Sequence, residues 1–420
     1  MINNDKTHET TSKRDVLLLF GLIPEKLRSD IEANSKKNIQ YAANSLQYSV
    51  IKGLSYYYKR LHVLNFPFVG GFPIFSRSIK IRQANEAISG VEVKSVSYFN
   101  IAGLKNYFIY IKAVRLIKKW IKKSNGEKTI LIYSAYLPFL KAALRIKRIQ
   151  ASSVSVCLLL PDLVEFMNKP TNLFYKSFVK QSTPVINTAL KSIDAFVLIT
   201  SDMQEKLPLD GKKFVVMEGI FDSDNKEENS VTQLSTLEEK VIFYSGHLDR
   251  RYGILNLVNA FMLLRDPQLK LVICGDGNSK NEILAAAKID NRIQYLGQIP
   301  RENVLELQKK SFLLVNPRTA EADYTKYSFP SKTLEYLGSG VPTLMYKLPG
   351  IPNIYYDFCF TIMDPSVEAL KIKIEEILSM DTTELLKKSA SAKKFVIENK
   401  NPIAQCYKIF ELIEMENKSF

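Results

Sequence analysis

Short apolar runs alternate with amphipathic segments along most of the chain, in two blocks separated by a polar stretch. The strand candidates of the first block are Val16–Phe20, Leu61–Asn65, Val91–Phe99, Thr129–Tyr133, Val154–Leu160, Ala195–Thr200 and Lys213–Glu218. Those of the second block are Val241–Tyr244, Leu269–Cys274, Ile293–Leu296, Phe312–Val315 and Val341–Met345. Alternating strands and helices build a parallel sheet with helices on both faces. We therefore expect an α/β fold with two doubly wound domains.

The polar stretch sets the expected domain boundaries. Residues 222–240 have no apolar period and predict a linker. An N-terminal domain is expected at 1–221 and a C-terminal domain at 241–400. The last segment, 401–420, predicts a helix that packs back on the N-terminal domain.

Charge is distributed unevenly between the two blocks. Residues 1–220 carry 33 Lys and Arg against 16 Asp and Glu, whereas the remainder carries 25 against 27. A basic half implies an anionic partner, such as a lipid surface or a phosphorylated substrate. No nucleic-acid-binding motif accompanies this charge, so nucleic acid is not expected as a partner.

The chain contains neither a long apolar run nor a metal-ligand spacing. No stretch of about 18 uncharged apolar residues occurs, so we expect no membrane span. The N-terminus is polar and charged and has no signal-peptide pattern, which favours a cytoplasmic protein. The four cysteines are widely spaced and are expected to be reduced core thiols, and the three histidines predict no metal site.

Residues 328–342 form the most informative segment, because they lie between two strand candidates. Pro330 suits the first turn of a helix. The unpaired N–H groups at the start of that helix would bind an anion, and they belong to Ser331, Lys332 and Thr333. Glu335 shares a face with Ser331, where a carboxylate behind a diphosphate would accept the hydroxyls of a ribose. Spacing alone is equally compatible with a helix that merely begins with Pro-Ser.

This segment resembles the donor motif of retaining glycosyltransferase family 4 of the GT-B fold, which has a Glu-x7-Glu pattern followed by Ala/Gly-x-Gly-x-Pro. Glu335 matches the second glutamate, for which the resemblance implies ribose binding, and Gly338–Pro342 matches the tail. The first glutamate falls on Tyr327, so Glu321 or Asp323, just upstream, is a candidate for its sugar-contacting role. The Phe-Pro-Ser-Lys sequence resembles the branch that builds capsules, exopolysaccharides and O-antigens.

Three other segments resemble the same family in the same order. Residues 244–253 are similar to its Gly-Arg-Leu-x3-Lys-Gly loop, although its two cationic positions fall on His247 and Tyr252. The cations expected to stabilise the diphosphate in their place are Arg250, Arg251 and Lys332. Residues 271–277 and 291–300 resemble the segments that meet the donor and its nucleobase. The donor-binding residues implied are Gly246, Gly275, Gly297, Gln298, Ile299, Ser331, Thr333, Leu334 and Glu335.

In the first block, two residues at strand ends are expected to bind substrate, and for Asp162 the contact is with either the acceptor or the sugar. Gly21 follows the first strand candidate, and Asp162 follows the buried run 154–160. Asp162 is also compatible with a helix N-cap. The Gly- and Pro-rich residues 65–75 predict an irregular loop that either holds a lipid-linked acceptor or packs on the surface.

Residues 107–123 predict a basic amphipathic helix. One stripe is cationic and consists of Lys112, Arg115, Lys119 and Lys122. The other is apolar and consists of Tyr110, Val114, Ile117 and Ile121, with Trp120 near its end. Such a helix suits the headgroups of an anionic leaflet, but the same pattern also fits an ordinary helix that covers a sheet.

The resemblance implies a GT-B-like fold, in which two Rossmann-like domains face a cleft, and a glycosyltransferase reaction. The N-terminal domain would bind the acceptor and the C-terminal domain the nucleoside-diphosphate sugar. We expect transfer to a hydroxyl of a lipid-linked glycan in surface-polysaccharide biosynthesis, with retention and without a metal or other cofactor. The protein would be peripheral on the inner face of the cell membrane. The alternatives are a nucleotide-sugar epimerase on the same fold and a non-catalytic, membrane-docking partner subunit of a glycosyltransferase.

Overall fold

The computed structural model describes residues 12–36, 40–124, 126–150, 153–167, 173–223 and 240–415. The chain forms two units. Unit 1 comprises residues 1–220 and 402–420, and unit 2 comprises residues 221–401. Of the predicted linker 222–240, residues 224–239 lie outside the described residues.

Unit 1 is an α/β sandwich built on one large sheet. Its described strands are β1 (Asp15–Phe20), β2 (Leu61–Asn65), β3 (Lys80–Ile81), β4 (Ala84–Ile88), β5 (Val91–Ser95), β6 (Tyr98–Phe99), β7 (Lys128–Tyr133), β8 (Val154–Leu160), β9 (Ala195–Leu198) and β10 (Lys213–Val216). Its described helices are α1 (Glu25–Asn34), α2 (Tyr41–Tyr57), α3 (Lys105–Lys123), α4 (Leu137–Gln150), α5 (Val164–Met167), α6 (Leu173–Leu190) and α13 (Pro402–Met415).

The large sheet has the strand order β10-β9-β8-β7-β1-β2-β5-β4. All neighbours are parallel except β4 and β5, which form an antiparallel hairpin at the edge. In the register of the centre, Leu18 pairs with Val63 on one side and Leu131 on the other. The central strands are buried on both faces, which explains their continuous apolar runs.

Helix α13 is the only part of unit 1 that follows unit 2 in the described sequence, and it packs against α2. Gly53 of α2 allows the close approach, because a Cβ atom there would lie 2.2 Å from the Pro402 carbonyl oxygen and 2.5 Å from Cys406 Sγ. Cys406 and Ile409 of α13 are fully buried in the same core as β1 and β2. Burial of the Ile409 side chain stabilises the unit by about 1.5–3 kcal/mol.

Unit 2 has a six-stranded parallel sheet with the order β13-β12-β11-β14-β15-β16. Its described strands are β11 (Lys240–His247), β12 (Leu269–Asp276), β13 (Ile293–Gly297), β14 (Leu313–Asn316), β15 (Thr343–Tyr346) and β16 (Phe360–Ile362). Its described helices are α7 (Ile254–Met262), α8 (Lys280–Ile289), α9 (Arg301–Lys309), α10 (Ser331–Ser339), α11 (Val367–Ser379) and α12 (Thr382–Asn399). This order reverses between β11 and β14, where dinucleotide-binding folds place their ligand.

The predicted α/β fold with two parallel-sheet domains is confirmed. One strand prediction is wrong, because residues 91–99 do not form a single strand. The chain leaves the main sheet after Ser95, and β6 instead pairs with β3 in a separate antiparallel ribbon. All four cysteines are buried and free. None of the helices in the described residues combines the length and apolarity that crossing a bilayer requires.

Candidate functional site

The start of α10 differs by one position from the sequence prediction. Pro330 is the N-cap residue, with φ −66° and ψ 118°, and the helix begins at Ser331. The N–H of Thr333 donates to the Pro330 carbonyl at 2.9 Å, so the prediction that this N–H is available to an anion is wrong. The side chains of Thr333 and Leu334 are buried. Of the three N–H groups predicted to bind an anion, those of Ser331 and Lys332 therefore remain candidates.

Lys332 lies against the end of β11. Its Nζ donates to Ser245 Oγ at 3.2 Å, and a Cβ atom on Gly246 would come within 3.0 Å of Lys332 Cε. Glycine at position 246 thus leaves room for the lysine stem. The structure brings together the two segments that the sequence analysis assigned to the diphosphate.

Glu335 is held by side chains from two helices. Gln308 Nε2 donates to its Oε1 at 2.6 Å, Arg301 lies 3.2 Å from its Oε2, and Lys332 Nζ lies 3.5 Å from Oε1. Burial by itself raises the pKa of Glu335, but Lys332, Arg301 and Gln308 outweigh it and hold the pKa below the ordinary value. The side chain is 18% exposed, and the lowered pKa keeps its carboxylate ionised at neutral pH, where it can accept hydrogen bonds from ribose hydroxyls.

Residues 246–253 contain the end of β11 and the 3₁₀ turn Arg250–Tyr252, and we call them the 246–253 loop. The two arginines of this loop already have carboxylate partners. Arg250 pairs with Glu282 at 2.6 Å, and Arg251 binds Asp249 through two hydrogen bonds of 2.9 and 2.8 Å. The hydrogen bonds from Arg251 lower the pKa of Asp249 to about 2. Both arginines would have to exchange or share these partners to bind a diphosphate.

Ser279 is the N-cap residue of α8 but makes no side-chain capping hydrogen bond, and Glu282 in the first turn pairs with Arg250. Ser279 Oγ donates to Asn278 Oδ1 at 3.3 Å. The helix begins at Lys280.

Glycines shape the carboxyl edge of the sheet in unit 2. Gly275 has φ +133°, and a Cβ atom there would lie 1.8 Å from the carbonyl oxygen of Gly246, its partner in the β11–β12 register. Gly297 ends β13 with φ +69°. Gln298 is exposed behind it, and the side chain of Ile299 packs on the core. Because Gly275 and Gly297 have no side chains, the backbone at this edge of the sheet is accessible to a ligand.

The position matching the first glutamate of the family motif is not available to a ligand. Tyr327 ends a 3₁₀ turn (Asp323–Tyr327) and is buried. Glu321 is exposed and accepts a hydrogen bond from Thr319 Oγ1 at 3.1 Å. Among the described residues, no group of three His, Cys, Asp or Glu side chains is arranged to hold a metal ion.

Two residues of this site were not identified from the sequence. Gln308 joins Glu335 to Ser245, donating to Ser245 Oγ at 3.3 Å, and Tyr336 donates from its hydroxyl to the Ser245 carbonyl at 3.4 Å. Gln308 is buried and lies four residues after Val304, on the stripe of α9 that faces the core. A polar residue on an apolar stripe was the signal available in the sequence.

In unit 1, Gly21 follows β1, and the ring of Phe68 packs where its Cβ would be, at 2.4 Å. Asp162 is exposed between β8 and α5, which begins two residues later. Residues 65–75 form a packed loop rather than an open cradle, because Tyr98 Oη and Asn100 Nδ2 bind its carbonyl oxygens at Pro67 and Gly70.

Helix α3 begins two residues before the predicted start and ends at the predicted residue, Lys123, but its apolar stripe points into unit 1. Val114, Ile117 and Trp120 are buried, so the prediction that this stripe is available to a bilayer is wrong. The amphipathic pattern arises because α3 covers the sheet and packs against α4. The exposed face of α3 is a different set of residues.

Comparison with known protein families gives a match to the part of the chain that contains this site. Residues 225–417 match the family described as "Glycosyl transferases group 1". The match covers slightly less than half of the chain. The matched residues contain α10 and the 246–253 loop, so every predicted donor-binding residue lies within them. No match was found among curated proteins.

Solved structures similar over the whole chain show the GT-B fold. Sucrose-phosphate synthase from Thermosynechococcus elongatus is 16% identical, with a TM-score of 0.63 over 96% of this chain and 99% of the other. HepE from Anabaena, solved in complex with UDP, is 16% identical, with a TM-score of 0.60 over 96% and 100%. A glycosyltransferase from Rickettsia africae is 17% identical, with a TM-score of 0.63 over 97% and 100%.

Proposed function

We propose that the protein transfers a sugar from a nucleoside-diphosphate sugar to a hydroxyl group of a glycan. The observation that carries the proposal is the cluster of Lys332, Glu335 and the N-terminus of α10 at the carboxyl edge of β11, within the residues that match the group 1 family. The structure of HepE with UDP supports a nucleotide-sugar donor for a chain of this fold.

In the proposed reaction, the diphosphate leaves with a growing negative charge. The ammonium group of Lys332 and the first N–H groups of α10 stabilise that charge, while Glu335 accepts hydrogen bonds from the ribose. Because these groups supply positive charge, we propose that transfer needs no metal ion. We also propose retention of the anomeric configuration, with the leaving diphosphate accepting the proton of the acceptor hydroxyl.

We propose a lipid-linked glycan of a surface polysaccharide, such as a capsule or exopolysaccharide, as the acceptor. Unit 1 supports this proposal through the exposed face of α3. Its members recur at spacings of three or four residues and are Leu104, Tyr107, Ile111, Arg115, Lys118 and Lys122. The first three are apolar and the last three are cationic, so apolar and charged residues lie on one exposed surface.

The cationic part of this face continues into a shallow groove between α3 and α4. The groove has a volume of about 520 Å³, and its cations are Arg115, Lys118, Lys119, Lys122 and Arg145. No acidic residue lines it. Anionic headgroups fit this chemistry, so we propose that unit 1 docks peripherally on the cytoplasmic face of the cell membrane.

Charge reversal on the exposed face of α3 is expected to prevent sedimentation with vesicles that contain phosphatidylglycerol. Each cation contributes about 1 kcal/mol near such a surface, so losing three weakens binding by about 100-fold. The triple variant carries Arg115→Glu, Lys118→Glu and Lys122→Glu. A control with the same change in net charge carries Lys288→Glu, Lys387→Glu and Lys394→Glu, all on the surface of unit 2. Equal sedimentation of the two triple variants would contradict membrane docking through α3.

Glu335→Gln tests the donor site. The substitution keeps the shape but removes the charge that binds the ribose, so nucleoside-diphosphate affinity should fall by about 1.5–3 kcal/mol, or roughly 10- to 150-fold. Calorimetry with a panel of nucleoside diphosphates measures this change. Glu306→Gln is a matched control, because Glu306 is exposed on α9 and pairs with Lys310 rather than with the site.

Mass spectrometry of the products tests the reaction class. Wild-type protein incubated with nucleotide sugars and lipid-linked glycans should yield an extended glycan and free nucleoside diphosphate. An epimerised sugar without glycan extension would instead indicate an epimerase. Absence of both products across the panel, with donor bound, would favour the non-catalytic partner subunit.

A further inference from the structure

Arg318 is a buried cation in unit 2 that has no acidic partner among the described residues. It is 8% exposed, and its Nε is buried without a hydrogen-bond acceptor. Its guanidinium donates a long hydrogen bond of 3.4 Å to Ser328 Oγ. A buried charge without a counter-ion costs several kcal/mol. The buried charge of Arg318 is therefore unfavourable for the stability of the fold.

Two other arginines show how this chain ordinarily compensates such a charge. Arg292 also packs over an aromatic ring, that of Phe261 at 4.9 Å, but it binds both carboxylate oxygens of Asp290 at 3.0 and 2.7 Å. The buried Arg14 pairs with Glu127 at 2.7 Å. Arg318 resembles Arg292 in aromatic packing and differs in lacking the carboxylate.

The position of Arg318 in the sheet is where a ligand is expected. It follows the end of β14 by two residues, and β14 pairs with β11 at the point where the strand order reverses. In open α/β sheets, ligands bind outside the carboxyl ends of the strands at this point.

Two tyrosines hold the guanidinium in place. It lies 5.4 Å from the ring centroid of Tyr252 and 4.6 Å from that of Tyr324. Tyr252 belongs to the 246–253 loop, and Ser328 is the first residue of the 328–342 segment that contains the start of α10. Arg318 thus contacts both segments to which the sequence analysis assigned the diphosphate.

We propose that Arg318 binds the diphosphate of the nucleotide-sugar donor. The proposal rests on the proposed function, because it assigns the cation of that same site. Tyr252 occupies a position at which the resemblance expects a cation, and Arg318 places its charge over that ring. Arg250 and Arg251 already have carboxylate partners, whereas Arg318 has none among the described residues and its buried Nε lacks an acceptor. The planar fork of an arginine suits two phosphate oxygens.

The test uses inorganic pyrophosphate, which probes the anion site without a nucleobase. Arg318→Gln should weaken pyrophosphate binding by about 10- to 100-fold, as expected for a charge-assisted pair of hydrogen bonds. Its melting temperature without ligand should equal or exceed that of the wild type, because the substitution removes an uncompensated buried charge. Arg292→Gln, the matched control, should lower the melting temperature and leave pyrophosphate affinity unchanged.

The combination of readouts separates anion binding from a structural role. A lower melting temperature of Arg318→Gln with unchanged pyrophosphate affinity would overturn the proposal, as would absence of pyrophosphate binding by the wild type. Arg318→Lys keeps the charge but loses the fork, and should bind pyrophosphate several-fold more weakly; unchanged binding by this variant would also overturn it. If pyrophosphate binding depends on Arg318 but no sugar is transferred, the result contradicts the proposed function and supports the anion site at Arg318.

Discussion

Lys332→Ala is expected to lower kcat by about 10²- to 10³-fold. The ammonium group lies beside Gly246 and Ser245 at the start of α10, where the leaving diphosphate gains negative charge in the proposed reaction. Loss of one preorganised donor to a developing charge typically has this effect. The ammonium group of Lys332 should interact more strongly with the diphosphate in the transition state than with the diphosphate of the bound donor. The substitution should therefore lower kcat more than it lowers nucleoside-diphosphate affinity.

Stability should change little in this variant, since Glu335 keeps its contacts with Gln308 and Arg301 when Lys332 is removed. Single-turnover kinetics together with calorimetry would give the change in kcat and in affinity separately. Lys332→Arg should recover part of the activity because it restores the charge. Equal losses of kcat and affinity would assign Lys332 to ground-state binding instead, and activity close to that of the wild type would exclude it from the site.

The fold could be predicted because the parallel strands are buried on both faces. Such strands appear in a sequence as continuous apolar runs, and Leu61–Asn65 and Val154–Leu160 have the predicted boundaries. The strands that escaped prediction are short or at edges. Ala84–Ile88 alternates between exposed and half-buried residues, and Phe360–Ile362 has only three residues. Such segments carry little apolar signal.

The candidate site could be predicted only in part, because spacing along a helix identifies a face but not its partners. The spacing of Ser331 and Glu335 correctly indicated one helix. The sequence pattern gave no indication that Gln308 of another helix donates a hydrogen bond to Glu335. It also gave no indication that the two loop arginines form ion pairs with Asp249 and Glu282. Those contacts join segments that are far apart in sequence or depend on side-chain rotamers.

The amphipathic pattern of α3 shows the same limit. A basic stripe beside an apolar stripe fits both a membrane-bound helix and a helix that covers a sheet. Tertiary packing decides between them, and here it buries Trp120 and leaves Tyr107 and Ile111 exposed.

Gly253→Ala is expected to destabilise unit 2 by about 2–5 kcal/mol. Gly253 lies between the 3₁₀ turn Arg250–Tyr252 and α7, with φ +75°. An alanine in this left-handed conformation costs about 1–2 kcal/mol. Its Cβ would also lie 1.9 Å from the carbonyl oxygen of Pro317, so the end of β14 must shift, which adds about 1–3 kcal/mol.

Gly297→Ala is the matched control for this prediction. Gly297 has nearly the same φ, +69°, but nothing lies within 4 Å of the position that a Cβ atom would take there, so only the conformational cost of about 1–2 kcal/mol applies. Thermal denaturation of both variants separates the steric contribution from the conformational one. Because Pro317 precedes Arg318, Gly253→Ala should also weaken pyrophosphate binding in the fraction that remains folded. Equal melting temperatures for the two variants would mean that the end of β14 shifts without a loss of stability. The close contact between Gly253 and Pro317 would then not fix the position of Arg318.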